Sequence, residues 1–156
     1  MGFSVSGSAV IIFAGLFIAF GMWHSAVSDG FERVTDAQQD AMDGSLAEQN
    51  TAIEIENASY SEKVLNATTG ETAYIVDVNV TNTGATSLSL NRTDVLLDND
   101  YRTDWEGDAT VDGDAETDLW LPGEKLAVAF NESSQPNRVK LVTESGVSVS
   151  AEVTAA

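Results

Sequence analysis

Acidic side chains crowd one stretch of the chain, and carboxylates are the groups that bind hard cations such as Ca²⁺. Residues 94–118 contain ten Asp or Glu residues and one basic residue, Arg102. An EF-hand loop that began at Asp98 would place Arg102 at the fifth ligand position, and one that began at Asp108 would lack an acid at the third. We therefore predict no metal and no cofactor. Two alternatives stay open for this stretch, a solvated acidic loop and an irregular cation site.

Two aromatic residues, Tyr101 and Trp105, lie within the acidic stretch. Exposed Trp and Tyr side chains are favoured at the centres of protein interfaces. We predict that this pair forms a partner-binding loop. The alternative for Trp105 is that its indole folds back onto the core of the domain.

The sequence holds more acceptor motifs for N-linked glycans than its composition predicts. Such a motif is Asn followed by any residue except Pro and then Ser or Thr, and it is modified in exported domains. The asparagines of the five motifs are Asn57, Asn66, Asn79, Asn91 and Asn131. Their number predicts an exported domain, and Asn79 is an acceptor only if its side of a strand faces solvent.

The overall charge excludes several classes of function. The chain has 25 acidic and 7 basic residues in 156, a net charge of −18, so it cannot form the basic patch that nucleic acids require. It has no Cys and a single His, which excludes disulfides, thiol nucleophiles and Cys/His zinc sites. We predict a non-enzymatic protein. The excess of acid is typical of a salt-loving organism, because near molar salt screens the self-repulsion.

The first 28 residues carry no charged side chain, and all 32 charged side chains of the sequence lie at or beyond Asp29. About 20 mainly apolar residues in a helix cross a bilayer, and this segment supplies them. We predict a transmembrane anchor at residues 1–28, with its lipid-facing side chains at Ile11, Ile12, Phe13, Leu16, Phe17, Ile18, Phe20 and Trp23.

The alternatives for this segment are a cleaved signal peptide, a pilin-type leader and a buried helix. The first two lack the basic residue that they require, and a small β domain could not cover a helix that is apolar on all sides.

Residues 29–50 form a polar spacer with a weak helical stripe at Phe31, Val34 and Ala41, interrupted by Gln38. Asp29 and Gly44 are the expected start and stop signals of a helix in this spacer. The stripe favours either a solvated stalk or pairing with a second copy of the chain.

Beyond residue 50 the apolar period changes from helical to two, which is typical of half-buried strands. Short runs of this kind occur at residues 53–56, 74–81, 87–90, 94–97, 119–121, 126–130, 138–142 and 147–153, with turn signals at 66–70, 81–84, 121–124 and 133–137. Seven or eight short strands predict an all-β, immunoglobulin-like sandwich at residues 51–156. Trp120 and Tyr74 are expected in its core. The weaker candidates for partner contacts are edge strands at residues 53–60 and 147–153.

The opening MGFSVSGSAVIIFAGLFIAFGMW, the exit HSAVSDGFERV and the β segments VDVNVTNTGATSLSL and LWLPGEKL resemble the FlaF family of archaellum accessory proteins from halophilic archaea. The resemblance implies a single-pass membrane protein whose immunoglobulin-like domain lies outside the cell, between the membrane and the S-layer. It implies a stator that binds the S-layer protein and holds the motor static, with a FlaG-like protein as partner and with homodimers.

A different class of function stays open, in which the chain is a pilin-like or archaellin-like subunit that polymerises through its apolar N-terminal helix. The absence of a basic-glycine processing site favours the anchor over the subunit. Loss of the leader from the native protein would favour the subunit.

Overall fold

The computed structural model describes residues 3–66, 71–103 and 105–156, and the surroundings of the side chains at 7–65, 72–103 and 105–156. By its contacts the chain divides into two compact units, residues up to Gly44 and the unit Ser45–Ala156. The predicted fold class is confirmed, because one long apolar helix precedes β-sheets that form a sandwich.

Helix α1 runs without a break over Phe3–Asn50. The stop signal expected at Gly44 is wrong, because one glycine costs a helix only about 1 kcal/mol and good helix formers such as Met42 and Leu46 flank it. The helix ends where its last carbonyls find other donors. The Thr51 hydroxyl donates to the Ala47 carbonyl at 2.7 Å, and the backbone N–H of Ala85 donates to the Asn50 carbonyl at 2.8 Å.

Eleven strands follow in the described part of the chain. They are β1 (Ile53–Asn66), β2 (Glu71–Asn82), β3 (Leu88–Ser89), β4 (Asp94–Leu97), β5 (Asp100–Arg102), β6 (Ala109–Val111), β7 (Leu119–Trp120), β8 (Lys125–Glu132), β9 (Arg138–Val142), β10 (Ser148–Glu152) and β11 (Thr154–Ala155). Two 3₁₀ turns, Leu90–Arg92 and Trp105–Asp108, interrupt them. The turn predicted at residues 66–70 lies, beyond Asn66, outside the described residues.

Two larger sheets enclose one core. The five-stranded sheet has the order β11-β1-β2-β8-β6, the four-stranded sheet has the order β10-β9-β4-β5, and β3 pairs with β7. All described pairings are antiparallel except that of β1 with β11. Alternate residues of the central strands point inward and form one buried cluster, which includes Val78 and Leu126 of one sheet and Val95 and Leu141 of the other.

Trp120 is the largest fully buried side chain, as the sequence predicts for a core residue. Its indole N–H donates to the Glu124 carbonyl at 2.9 Å, so burial leaves no polar atom of the ring unpaired. Tyr74 lies at the margin of the core, half-buried, where its ring contacts Tyr60 edge-on with centroids 5.8 Å apart.

The edge strands of both larger sheets are short. Strands β5 and β6 have three residues each, β11 has two and β10 has five. Short edge strands limit pairing with other chains. The expectation of an edge at residues 53–60 is wrong for Ser59 and Tyr60, which pair with β11, whereas residues 53–58 have no strand partner on that side of β1 among the described pairings. The expectation for residues 147–153 holds in that β10 is an edge strand.

Candidate functional site

The most exposed apolar surface of the described chain is the first half of α1. The eight side chains that the sequence assigns to a membrane anchor are between 59% and 76% exposed. Their positions cover all sides of the helix, since consecutive residues are rotated by about 100°. Phe13, Leu16, Phe17, Phe20 and Trp23 line one face, and the Phe20 and Trp23 rings lie 5.9 Å apart.

The second half of the same helix is two-sided. Asp29, Glu32, Asp36, Asp40 and Asp43 follow one another at steps of three or four residues and therefore share one face. Val27, Phe31, Val34, Gln38 and Ala41 follow the same steps on the opposite face, where Phe31 and Val34 are more than half exposed. We call this second set the uncharged seam. It extends the predicted stripe by one residue towards the apolar segment.

Most described carboxylates of the acidic stretch are exposed, as the solvated alternative states, but the stretch is not all loop. It contains β5 and β6, and Asp98 and Asn99 form a two-residue turn between β4 and β5 with φ values of 53° and 73°. Two positive φ values in a two-residue hairpin turn are typical of type I′, which Asn and Asp tolerate. The dipeptide Asp98-Asn99 directly after the apolar run of β4 was the available signal for this hairpin.

Several carboxylates of the stretch hold the backbone of neighbouring loops. Asp98 accepts from the backbone N–H groups of Asn137 and Arg138 at 3.0 and 2.9 Å. Asp112 accepts from the Lys125 N–H at 3.0 Å. Within the described residues, no group of three or more His, Asp or Glu side chains converges in a way that could hold a metal.

Asp118 closes the stretch against the first 3₁₀ turn. It accepts from the Asn91 N–H at 2.9 Å and from the Ser89 hydroxyl at 2.8 Å. These bonds, chiefly the one from the Asn91 N–H, stabilise the ionised form and lower the pKa of the Asp118 carboxyl.

The two aromatic residues of the predicted partner loop have different surroundings. Tyr101 is 59% exposed, and its hydroxyl donates to Asp94 at 3.2 Å, which raises the pKa of the phenol. Trp105 is 3% exposed and belongs to the core cluster. The prediction that Trp105 contacts a partner is therefore wrong, because the 3₁₀ turn directs the indole inward, as the alternative for this residue stated.

The comparison with protein families decides what kind of protein this is. The model of the archaeal-type flagellin family matches residues 2–153. The chain belongs to the archaeal-type flagellin family. No curated protein matches it. Family membership makes the chain an archaellum-related component, and the match includes both the apolar helix and the sandwich.

In this member of the archaeal-type flagellin family, three sequon asparagines share the outer face of the five-stranded sheet. Ala58, Val78, Val80 and Phe130 are buried in the core, so the neighbouring Asn57, Asn79 and Asn131 point outward, as alternation along a strand requires. Asn57 lies directly opposite Asn79 in the ladder. Asn57 and Asn131 are exposed and Asn79 is half-buried.

The remaining two sequons lie elsewhere. Asn91 is exposed in the first 3₁₀ turn, where its backbone N–H is bound to Asp118. The backbone of Asn66 ends β1, and its side chain lies outside the described residues. Sequence reasoning found all five positions and lacked the information that three of them share one face.

Proposed function

We propose that this chain is a FlaF-type, membrane-anchored stator component of the archaellum, whose sandwich binds the S-layer. The observation that carries the proposal is the contrast within one chain between a helix with exposed apolar side chains on all sides and a folded unit with its own core. An anchor in lipid and a folded binding unit are the two parts that a tether needs.

The anchor part of the proposal rests on length and hydropathy. Helix α1 contains an 18-residue window of mean hydropathy 2.0 and is the one helix in the described part of the chain that is long and apolar enough to cross a membrane. Its first charged residue is Asp29. We place the N-terminus inside the cell and residues 29–156 outside, where the sequons would meet the glycosylation machinery of exported proteins.

The stator part rests on mechanics. A motor turns its filament and not itself only if its static parts are tied to the envelope at both ends. One end here is the lipid anchor, and the other would be the contact of the sandwich with a repeated protein lattice. Many weak contacts to a lattice add up when the copies are held together. A FlaG-like partner and a homodimer belong to the same proposal.

The role is proposed to be non-enzymatic. His24 is the one histidine of the chain and lies within the apolar helix. Three carboxylates of the acidic stretch, Asp98, Asp112 and Asp118, accept hydrogen bonds from backbone N–H groups. General acid–base catalysis needs a pair of groups within reach of a substrate.

Three measurements on the full chain test the proposal. Washing of membranes at high pH should leave the full chain in the membrane fraction, and protease added to intact cells should remove residues 45–156. The full chain in detergent micelles should co-sediment with purified S-layer sheets in molar salt. A folded chain that stays in the supernatant would contradict the stator role, and a protected sandwich would contradict the topology.

A second candidate function is a filament subunit that polymerises through α1. The uncharged seam from Val27 to Ala41 favours it, because a continuous uncharged face on an exposed helix suits packing against other helices. Filaments sheared from cells distinguish the two. A subunit would be a major component of the filament and would have lost its leader, whereas a stator would stay with the membrane and keep its residues through Trp23.

A further inference from the structure

We propose that Asn131 is the asparagine of the sandwich that receives an N-linked glycan on the folded protein. Its sequon is Asn131-Glu132-Ser133. The inference deepens the proposed function and rests on its topology, because the glycan is added only to a domain that lies outside the cell. The sequence pattern is shared by all the sequons, so the choice among them comes from the fold. The comparison covers the four sequons whose asparagine side chains the structure describes.

The modification involves two side chains of a sequon at once. The transfer forms a bond between the asparagine nitrogen Nδ2 and the anomeric carbon of a lipid-phosphate-linked oligosaccharide. The bond between that carbon and the phosphate oxygen breaks, the lipid phosphate leaves with the bonding electrons, and the nitrogen loses a proton. The motif also requires Ser or Thr two positions after the asparagine. A sequon of a folded domain is therefore accessible only where the amide and the hydroxyl are both exposed and unbound.

Two of the four sequons have a hydroxyl that is bound within the fold. In the Asn79 sequon, the Thr81 hydroxyl donates to the Glu56 carboxylate at 2.5 Å, and Asn79 itself is half-buried. In the Asn91 sequon, Thr93 is 4% exposed, and its hydroxyl donates to the carbonyl four residues earlier at 2.9 Å. Neither hydroxyl is free for recognition in the folded sandwich.

The two recognised side chains of the Asn57 sequon are bound to each other. The Asn57 amide donates to the Ser59 hydroxyl at 3.1 Å, and Ser59 is half-buried where β11 pairs with β1. Asn57 also lies opposite Asn79 in the ladder between β1 and β2, so a glycan on either side chain would cover the other. This sequon is therefore less accessible than its exposed asparagine alone indicates.

The Asn131 sequon lies at the end of a strand and meets both conditions. Asn131 and Ser133 are exposed, and neither side chain has a hydrogen-bond partner among the described residues. Strand β8 ends at Glu132, so the backbone leaves the sheet within the sequon. Alternation directs Glu132, which pairs with Arg102 at 2.8 Å, to the opposite side of the strand. The neighbouring strand β6 pairs with residues 126–128 and does not reach Asn131.

The surface next to Asn131 has room for the first sugars of a glycan. The outward side chains that precede Asn131 on β8 are Ala127 and Ala129, and they form the floor of a groove of about 340 Å³. The polar residues that line this groove are Asp77, Asn79, Asp108 and Thr110. Carboxylates, amides and hydroxyls are hydrogen-bonding groups that suit sugar hydroxyls. The five-stranded sheet thus offers a polar surface without large side chains beside this asparagine.

The test measures glycans on the full chain purified from its own cells. Mass spectrometry of the intact chain gives the total glycan mass, and mass spectrometry of its peptides gives the occupancy of each sequon. Ser133→Ala removes the sequon and leaves Asn131 in place, whereas Ser133→Thr keeps the sequon. Ser59→Ala makes the matched change in the Asn57 sequon. The melting temperature of each variant in molar salt confirms folding.

We expect higher occupancy at Asn131 than at Asn57, Asn79 or Asn91. Ser133→Ala should lose the mass of one glycan, whereas Ser133→Thr and Ser59→Ala should keep the mass of the unchanged chain. An unmodified Asn131 in a sandwich that protease cuts on intact cells would overturn the inference and leave the topology intact, and so would equal occupancy of the four sequons. A sandwich protected from that protease would overturn the topology of the proposed function, and the inference with it.

Discussion

The two units of this protein expose opposite chemistry. The first half of α1 presents Ile, Phe, Leu and Trp side chains that are mostly exposed, whereas the unit Ser45–Ala156 buries most of its large apolar side chains and presents carboxylates and amides. A single polypeptide therefore carries surfaces suited to two solvents. Composition averaged over the whole chain therefore describes neither unit. The helix must be tested in membranes and the sandwich in water. The predictions below are ordered by the size of the expected effect.

The largest effect is expected in the core of the sandwich. Trp120→Ala removes the largest fully buried side chain and should lower the free energy of unfolding by about 3–5 kcal/mol. Tyr101→Ala removes an exposed ring and should change it by about 0.5 kcal/mol or less. Denaturant unfolding followed by circular dichroism of the β signal measures both. Equal losses would mean that the sandwich does not have the core described here.

A charge placed in the apolar half of α1 should affect membrane insertion instead of folding. Phe17→Asp puts a carboxylate near the middle of the uncharged segment, where an Asp costs about 3 kcal/mol in insertion. The fraction of protein that resists extraction from membranes at high pH should fall steeply. Phe31→Asp makes the same change in the charged half of the helix and should leave that fraction unchanged. If the two variants partition alike, the helix does not have one lipid-facing and one water-facing half.

Glycine should respond differently in the two units. A Cβ added at Gly84 would lie 2.5 Å from the Ala52 nitrogen and 2.6 Å from the Asn50 oxygen, both backbone atoms, whereas a Cβ at Gly44 meets nothing within 4 Å. Gly84→Ala should therefore destabilise the sandwich by about 1–3 kcal/mol. Gly44→Ala should stabilise the helix by about 1 kcal/mol. Thermal unfolding of the two variants measures the contrast, and a stable Gly84→Ala variant would contradict the close approach.

The smallest effect concerns pH. The pKa of Asp118 is lowered in the folded state by the Asn91 N–H and the Ser89 hydroxyl. A carboxyl with a lowered pKa contributes stability above its unfolded pKa, near 4, and loses it as the pH falls through the folded value. Because the group is exposed to solvent, the contribution should be below about 1 kcal/mol. Asp118→Asn should flatten the loss of stability below pH 4, which acid titration of unfolding at constant salt measures. If the variant loses as much stability below pH 4 as the unchanged chain, that loss is due to other carboxyl groups.

Several features of the fold were predictable from the sequence because they depend on local patterns. The uncharged first 28 residues predicted the apolar helix, and alternation with period two predicted strands such as β4 and β9 with the bounds that the structure shows. Trp120 was identified as a core residue because burial of a large aromatic side chain removes much apolar surface from water. These features are local, because whether each residue faces solvent or core follows from its own type and from its position in the repeat.

The errors arose where long-range contacts override local composition. The acidic stretch looks like a loop by composition, yet β6 pairs with β8 and the Asp98 and Asp112 carboxylates bind backbone groups far along the chain. Trp105 looks like an exposed hot spot, and the core encloses it. The stretch at residues 53–60 resembles an edge strand, and the returning strand β11 pairs with its end, at Ser59 and Tyr60.

By itself, the sequence determined the division between an apolar helix and an acidic β domain, because hydropathy and period act over neighbouring residues. Only the tertiary structure decided which side chains share a face. Tyr101, Leu96 and Lys140 come from three strands, as do Asn57, Asn79 and Asn131. The register of hydrogen bonds between strands brings each set together, and no short window of sequence contains that register.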